Sequence, residues 1–363
     1  MKIELSLLSC ALAVSTGCAS LSEPEAPAME IGELQRWLDD LVEERGVPGA
    51  TLAVSFPGAP DVSLASGCVD PAQPDVPLPV DAPMLAGSTG KTYFAACAVA
   101  LQAEGRIDLD DKVSKYLGDA DWFAQVPNSS DVSLRDLLQH RSGMPEYVWD
   151  PKVAAAVKAD MDKVWGHEEL ARLLEGRAPV GAPRADFAYA DANYVLAMLA
   201  IERATGEDLY EFARERFLDP LHLDDTYASD TRDLPGLTQG HVILGAQLGA
   251  PPLMVGDDGR VQFNTQFEWA GGGYVSSAGD LARWGRVLWS GELLDAPYLP
   301  DLLDALPTPK GPGDQYGIAT IIRDTELGPA QGHDGFFPGY LTSVAWFPDQ
   351  GFAVAVQVNT DDV

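Results

Sequence analysis

The stretch AGSTGKTYF, Ala86 to Phe94, can be read as two incompatible chemistries. Gly90-Lys91-Thr92 looks like the close of a phosphate-cradling loop, whereas Ser88 followed by Lys91 has the spacing of a nucleophilic serine and its basic partner. A phosphate loop of the form G-x-x-x-x-G-K-[ST] needs a glycine at its first position, so that successive N–H groups can turn toward the phosphates. That position is Leu85, preceded by Met84, and a bulky side chain does not readily take the positive φ that glycine allows. The serine–lysine reading asks less of the backbone, because residues three apart at a helix start share one face. A serine hydroxyl needs a base or a charged neighbour before it can attack. Lys91, on a largely apolar helix, is expected to lose hydration and have its pKa pushed down, and the helix N-terminus favours the anion developing at Ser88. Taken alone, S-x-x-K fits an N-capping serine beside an exposed lysine equally well, so the partners must be sought elsewhere in the chain.

Working outward, the residues from Ser88 to Gly105 read as a helix that is apolar nearly all round and therefore buried. Before it, residues 31–46 have helical spacing and stop at Gly46; "GATLAVSF" and "VSLASGCV" then read as strands joined by the turn-rich "PGAPD". After it come helical patterns at 132–140, 166–175, 191–205 and 207–217, and an amphipathic helix at 276–291. The tail returns to strands at "YGIATIIRD", "YLTSVAWFP" and "FAVAVQVN". This order predicts an α+β fold: an antiparallel sheet of about five strands flanked by helices, plus an all-helical subdomain. The α/β part is expected from 31–86 and 265–363 and the helical part from 87–264.

The chain has 363 residues, 46% of them hydrophobic, enough for a large core. Its 55 acidic against 24 basic residues give a net charge of −31, which argues against a nucleic-acid partner, since phosphates would be repelled. Residues 1–18 read as a secretory signal: the apolar run Leu7 to Val14 is too short to span a bilayer. Val14-Ser15-Thr16-Gly17-Cys18 resembles a bacterial lipobox, with Ser15 where Leu is usual, and would leave Cys18 lipidated; ordinary signal cleavage is the alternative. Either reading expects export to the periplasm or cell envelope, and "ASLSEPEAPAME" (19–30) reads as a tether to the membrane. Cys68 and Cys97 have the number for one disulfide, but Cys97 lies in the apolar run "YFAACAVALQ" and reads as a buried free thiol. Neither C-x-x-C pairs nor clustered histidines suggest a metal site.

Four further segments keep company with Ser88 and Lys91: "GVPGATLAVS", "EGRIDLDDKVSKYL", "LRDLLQHRSGMP" (134–145) and "AGGGYVSSAGDLARW" (270–284). In this order and spacing, from about Leu34 to Asn359, the chain resembles the serine β-lactamase and DD-peptidase superfamily, in its class C-like, penicillin-binding-protein-like branch. The resemblance implies a nucleophile at Ser88, its partner at Lys91 and a general base at Tyr189 within "FAYADANYVLAMLAIERATG". A tyrosine serves as a base near neutrality only where cations stabilise its phenolate; Lys91 is one candidate and a protonated His333 the other. His333-Asp334-Gly335 takes the place of the third motif, with Gly335 allowing close approach of the strand to a substrate. The implied oxyanion hole is the backbone N–H pair of Ser88 and Phe336. No metal or organic cofactor is implied, and the implied substrate is a small-molecule or peptide ester or amide.

Two departures from the family pattern bear on substrate. Asp191 stands where Asn is usual, and an ionised carboxylate only accepts hydrogen bonds; beside Lys91 it favours the ammonium, which suits a phenolate base. Asn193 then reads as structural. Asp334 stands where Thr or Ser is common, and would repel a substrate carboxylate by ~1 kcal/mol or more at contact. The expected activity is therefore esterase or D-amino-acid peptidase-like, with a β-lactamase or D-Ala-D-Ala carboxypeptidase as alternative. A penicillin-binding or wall-sensing protein without turnover is the reading of another class. His140 is expected to be structural, Trp269 either lines the cleft or fills core, and the family's usual final helix would follow "QVNTDDV", unless this member lacks it.

Overall fold

The N- and C-terminal parts of the chain meet in one sheet. The computed structural model describes residues 31–309, 311 and 313–363; the expected signal, the tether and Cys18 lie outside the described residues. In chain order, β1 (Gly49–Ser55) and β2 (Val62–Gly67) form a hairpin, and β3 (Met84–Leu85), β4 (Tyr227–Ala228) and β5 (Tyr274–Ser276) form a small second sheet. Then β6 (Leu306–Pro307), β7 (Gln315–Tyr316), β8 (Ile321–Thr325), β9 (Gly328–Phe337), β10 (Tyr340–Phe347) and β11 (Phe352–Val358) complete the main sheet. Its order is β2-β1-β11-β10-β9-β8-β7-β6, antiparallel throughout.

Period-two alternation decides what each face meets. Leu52 and Val54 of β1, in register with Val356 and Val354 of β11, face helix α1 (Ile31–Arg45), which contributes Leu34, Leu38 and Leu41 at helical spacing. On the opposite face the small residues Ala53, Ala353 and Ala355 leave room for Leu281, Trp284 and Leu288 of an amphipathic helix, Ala278–Ser290. Beyond that layer lie α2 (Lys91–Ala103), α3 (Leu134–Leu138), α4 (Pro151–Ala159) and α5 (Asp191–Thr205); the helix at Ala278–Ser290 is α6. Residues 91–101 of α2 are all buried, as an apolar helix surface requires. Among the described residues no helix is long and apolar enough to cross a membrane.

The main sheet is wider than the five strands read from sequence. The segment expected as one strand at 316–324 breaks into β7 and β8, with Ala319 at φ 44° between them. The ten-residue β9, GPAQGHDGFF, has no apolar alternation to announce it; the ladders of β8 and β10 on either side hold it extended. The helix expected from Ser88 starts instead as a 3₁₀ turn at Gly87–Gly90, and the α-helix begins at Lys91. Cys97 is a buried free thiol, and Cys68 is a free thiol as well, donating to the Pro48 carbonyl.

Candidate active site

The 3₁₀ turn carrying Ser88 abuts β9 backbone to backbone. A Cβ on Gly335 would stand 1.9 Å from the Ala86 carbonyl oxygen, and one on Gly87, at φ +51°, 2.8 Å from the Phe336 nitrogen. Only glycine permits this approach. The main-chain segments that contain Ser88 and Phe336 are thereby brought into contact, and both residues line one cleft of about 930 Å³.

Lys91 is fully buried one turn beyond Ser88. Its Nζ donates to Ser88 Oγ (2.9 Å), to Asp191 Oδ1 (2.5 Å) and to the Gly271 carbonyl. An ammonium has three N–H bonds, and all three are used. Burial alone would lower its pKa, as expected from sequence, but the charge of Asp191 and the neighbouring Tyr189 outweigh it and raise the pKa above the ordinary lysine value. The downward shift expected from the apolar helix is thus reversed, and the lysine is held as the ammonium that Asp191 was expected to favour.

Tyr189 precedes α5 by two residues, and the Lys91 ammonium lies 5.0 Å from the centroid of its ring. Burial pushes its hydroxyl up to about 12, against the pull of Lys91. His140 packs against Tyr189 with ring centroids 4.0 Å apart and planes tilted by 32°. The His140 Nδ1 is met by the Ala190 N–H (3.3 Å) and the Asn193 amide nitrogen (3.0 Å), and the Ser142 hydroxyl donates to Asn193 Oδ1. His140 and Asn193 thus hold the tyrosine segment against the 134–145 segment. Trp269 is core: fully buried and stacked on His167 at 3.6 Å.

The third motif is placed differently from its sequence reading. His333 is fully buried, with Nε2 2.9 Å from the Tyr316 hydroxyl and Nδ1 2.7 Å from the Asp334 carbonyl, and its ring centroid is 6.4 Å from that of Tyr189. Since a carbonyl only accepts, Nδ1 carries a proton. Asp334, read from sequence as a bare carboxylate, is paired. Arg323 of β8 donates to it through both terminal nitrogens (2.5 and 3.3 Å), and the Ser343 hydroxyl donates at 2.9 Å. Burial would raise the Asp334 pKa, but Arg323 and Ser343 hold it below the ordinary carboxylate value. The expected repulsion of substrate carboxylates therefore has to be restated for an ion pair, both of whose members line the cleft.

Two cleft residues escaped the sequence reading. Glu146 follows the 134–145 segment directly; one carboxylate oxygen accepts the Asp191 N–H at the start of α5 (2.6 Å), the other the N–H groups of Tyr147 (2.6 Å) and Val148 (3.0 Å). Burial and the Asp191 charge push it up to about 7. Glu268, fully enclosed, accepts from the Gly273 N–H and is pushed up to about 8 by burial first and Asp191 second. Neither glutamate belongs to a spaced motif; the only signal was adjacency to recognised segments. The remaining walls are mostly apolar, with Val157, Phe263, Phe267, Phe337 and the half-exposed Trp149, whose ring stands 6.1 Å from Phe336, beside the polar Lys158 and Gln247.

Similarities to known proteins agree with this geometry. The chain is 25% identical over 316 residues to an unguisins hydrolase of Aspergillus campestris, covering 79% of this chain and 54% of that protein. It is 24% identical to penicillin-binding protein 4* of Bacillus subtilis, covering 75% and 60% respectively, so the chain spans little more than half the length of these two relatives. Among solved structures, a D-stereospecific amidohydrolase from Streptomyces sp. superposes with TM-score 0.77 at 27% identity, covering 93% of this chain and 95% of that one. The D-amino acid amidase of Ochrobactrum anthropi SV3, complexed with L-phenylalanine, does so with TM-score 0.75 at 25% identity, covering 90% and 91%. The family model described as Beta-lactamase matches residues 34–363, all but the first three described residues, and the chain belongs to that family.

Proposed function

We propose that the protein is an exported serine hydrolase that cleaves amides or esters of D-amino acids through an acyl-enzyme on Ser88. The observation that carries this reading is the saturation of Lys91: a buried ammonium whose three donors go to Ser88 Oγ, Asp191 and Gly271. Such a lysine cannot take a proton, so it positions the serine and stabilises negative charge, and the base role falls to Tyr189. In the first step the phenolate of Tyr189, a minor form near neutrality because burial pushes the hydroxyl up to about 12, accepts the Ser88 proton as Oγ bonds to the substrate carbonyl carbon. The oxyanion is held by the N–H groups of Ser88 and Phe336. As the scissile C–N or C–O bond breaks, Tyr189 returns the proton to the leaving group. Water, deprotonated by the same tyrosine, then hydrolyses the ester on Ser88. The high pKa of Tyr189 favours returning that proton to a basic amine leaving group.

Substrate class follows from the cleft and the neighbours. Glu146, ionised above about pH 7, supplies negative charge for a substrate ammonium, and Phe263, Phe267 and Phe337 suit an apolar side chain. Two solved neighbours are named for D-stereospecific amide hydrolysis. Export rests on the signal-like residues 1–18 and anchoring on Cys18; a Cys18→Ser variant would lose metabolic labelling with palmitate.

The test is one panel: D- and L-phenylalanine amide, D-phenylalanine methyl ester and a chromogenic cephalosporin, on wild type and Ser88→Ala, with intact-mass spectrometry. Expected are hydrolysis of the D-amide and ester over the L-amide and the cephalosporin, and an acyl adduct that disappears in Ser88→Ala. Unchanged turnover by Ser88→Ala would sink the mechanism.

A further inference from the structure

On the wall of the cleft that holds Ser88, Arg323 presents a cation that the mechanism does not use. It is anchored from behind: Nε lies 3.6 Å from Asp314 Oδ2, and the Asp314 side chain is buried. Its terminal nitrogens both close on the Asp334 carboxylate, which also takes the Ser343 hydroxyl. Arg323 and Asp334 line the same cleft as Ser88, and each keeps some solvent exposure, 14% and 28% of the side chain.

A guanidinium held in this way, with its planar fork turned to a carboxylate, is the group that recognises a substrate carboxylate, and here its fork is filled from within the chain. We propose that Asp334 is an internal plug on a carboxylate-binding arginine, so that the pair Arg323–Asp334 selects substrates lacking a carboxylate on the leaving-group side. This rests on the serine-hydrolase reading of Ser88 and deepens it. A substrate carboxylate entering the cleft meets an arginine whose charge and fork are already taken up by Asp334; a carboxamide meets a hydrogen-bonding pair of no net charge. Removing the Asp334 charge frees the fork while Asp314 still orients the guanidinium.

The experiment compares D-Phe-D-Ala with its C-terminal amide, a pair differing only in the terminal carboxylate. The ratio of kcat/KM for acid over amide is measured in wild type, Asp334→Ser, Asp334→Asn, Arg323→Met and the double variant Asp334→Ser/Arg323→Met. Asp334→Ser is expected to raise the ratio by roughly tenfold to a hundredfold, the size of one charge-assisted hydrogen bond. The double variant should lose that gain, and Arg323→Met alone should not show it. Asp334→Asn, which keeps the shape, covers the case in which Ser fails to fold. The same pair is titrated by calorimetry in a Ser88→Ala background, where binding is read without turnover. Tighter binding of the acid in Asp334→Ser/Ser88→Ala than in Ser88→Ala supports the plug even if the catalytic reading fails. An acid-to-amide ratio and a binding preference that Asp334→Ser leaves as in the parent overturn it, and so does a gain that survives in the double variant.

Discussion

Two cation–carboxylate pairs adjoin one cleft, lined by Asp191, Arg323 and Asp334 with Lys91 buried behind it, each with a closest N···O distance of 2.5 Å: Lys91–Asp191 and Arg323–Asp334. Lys91 is fully buried, and its third and second donors go to a backbone carbonyl and the nucleophile, so the pair holds charge against a reacting atom. Arg323 is on a strand near the sheet's far edge, and its fork meets only carboxylates among its resolved polar partners. One pair acts on the chemistry, the other on what is admitted to it. The difference arises from side-chain type: a compact three-donor ammonium reaches three acceptors converging on a point, whereas a planar guanidinium matches one carboxylate.

Breaking the first pair should have the larger effect. Lys91→Met is expected to lower kcat by about 10⁴ for every substrate, the upper end of acid–base and positioning contributions, while Arg323→Met changes kcat far less and shifts preference among substrates. Steady-state kinetics on three unrelated esters and amides checks this, and a uniform loss from Arg323→Met would erase the distinction between the pairs. Next in size is Tyr189→Phe, for which a loss of about 10³ in kcat with little change in KM is expected, because the hydroxyl transfers protons without holding the ground state. A value of KM that rises in step with the fall in kcat would assign Tyr189 to binding.

Smaller effects sharpen the electrostatics around Asp191. Glu146 titrates at about 7, so it is neutral below and charged above. KM for a D-amino-acid amide should therefore fall as pH rises through about 7, until the substrate ammonium (roughly 8) loses its own proton. Glu146→Gln should flatten that limb and raise KM by roughly tenfold, and an N-acetylated substrate should show neither effect. For Glu268 the prediction concerns stability. Its folded pKa of about 8 lies above the ordinary 4.5, so between those values the folded state holds a proton that the unfolded state releases. Stability contributed at this site thus falls as pH rises from about 4.5 to about 8. Glu268→Gln should flatten this dependence and raise Tm at pH 9 by a few degrees, at roughly 1–2 °C per kcal/mol for a domain of over 300 residues. Thermal unfolding from pH 5 to pH 9 reads it directly, and parallel curves for the two proteins would place the titration elsewhere.

Local pattern was enough for the helices at Ile31–Arg45, Asp191–Thr205 and Ala278–Ser290 and for strands β1, β2, β10 and β11, because each carries its own periodicity and stop signal. It was not enough for β9, where Gly335 serves close contact with Ala86 of the nucleophile turn and Gly332 close contact with Val344 of β10 rather than strand propensity. Glu146 and Glu268 were missed for a related reason: an isolated glutamate has no spacing to betray it, and its chemistry comes from burial.

What the linear chain by itself determined is the set of reacting groups and their order: Ser88 and Lys91 three apart at a helix start, Tyr189 and Asp191 at another, and glycines wherever backbones had to touch. What only the tertiary structure decided is their charge states. Lys91 is held as a cation because Asp191 and the Gly271 carbonyl close on it, and Asp334 is a masked carboxylate because Arg323 reaches across from β8. Electrostatic energy depends on distance through space and on exclusion of water, and neither is a property of neighbours along a chain.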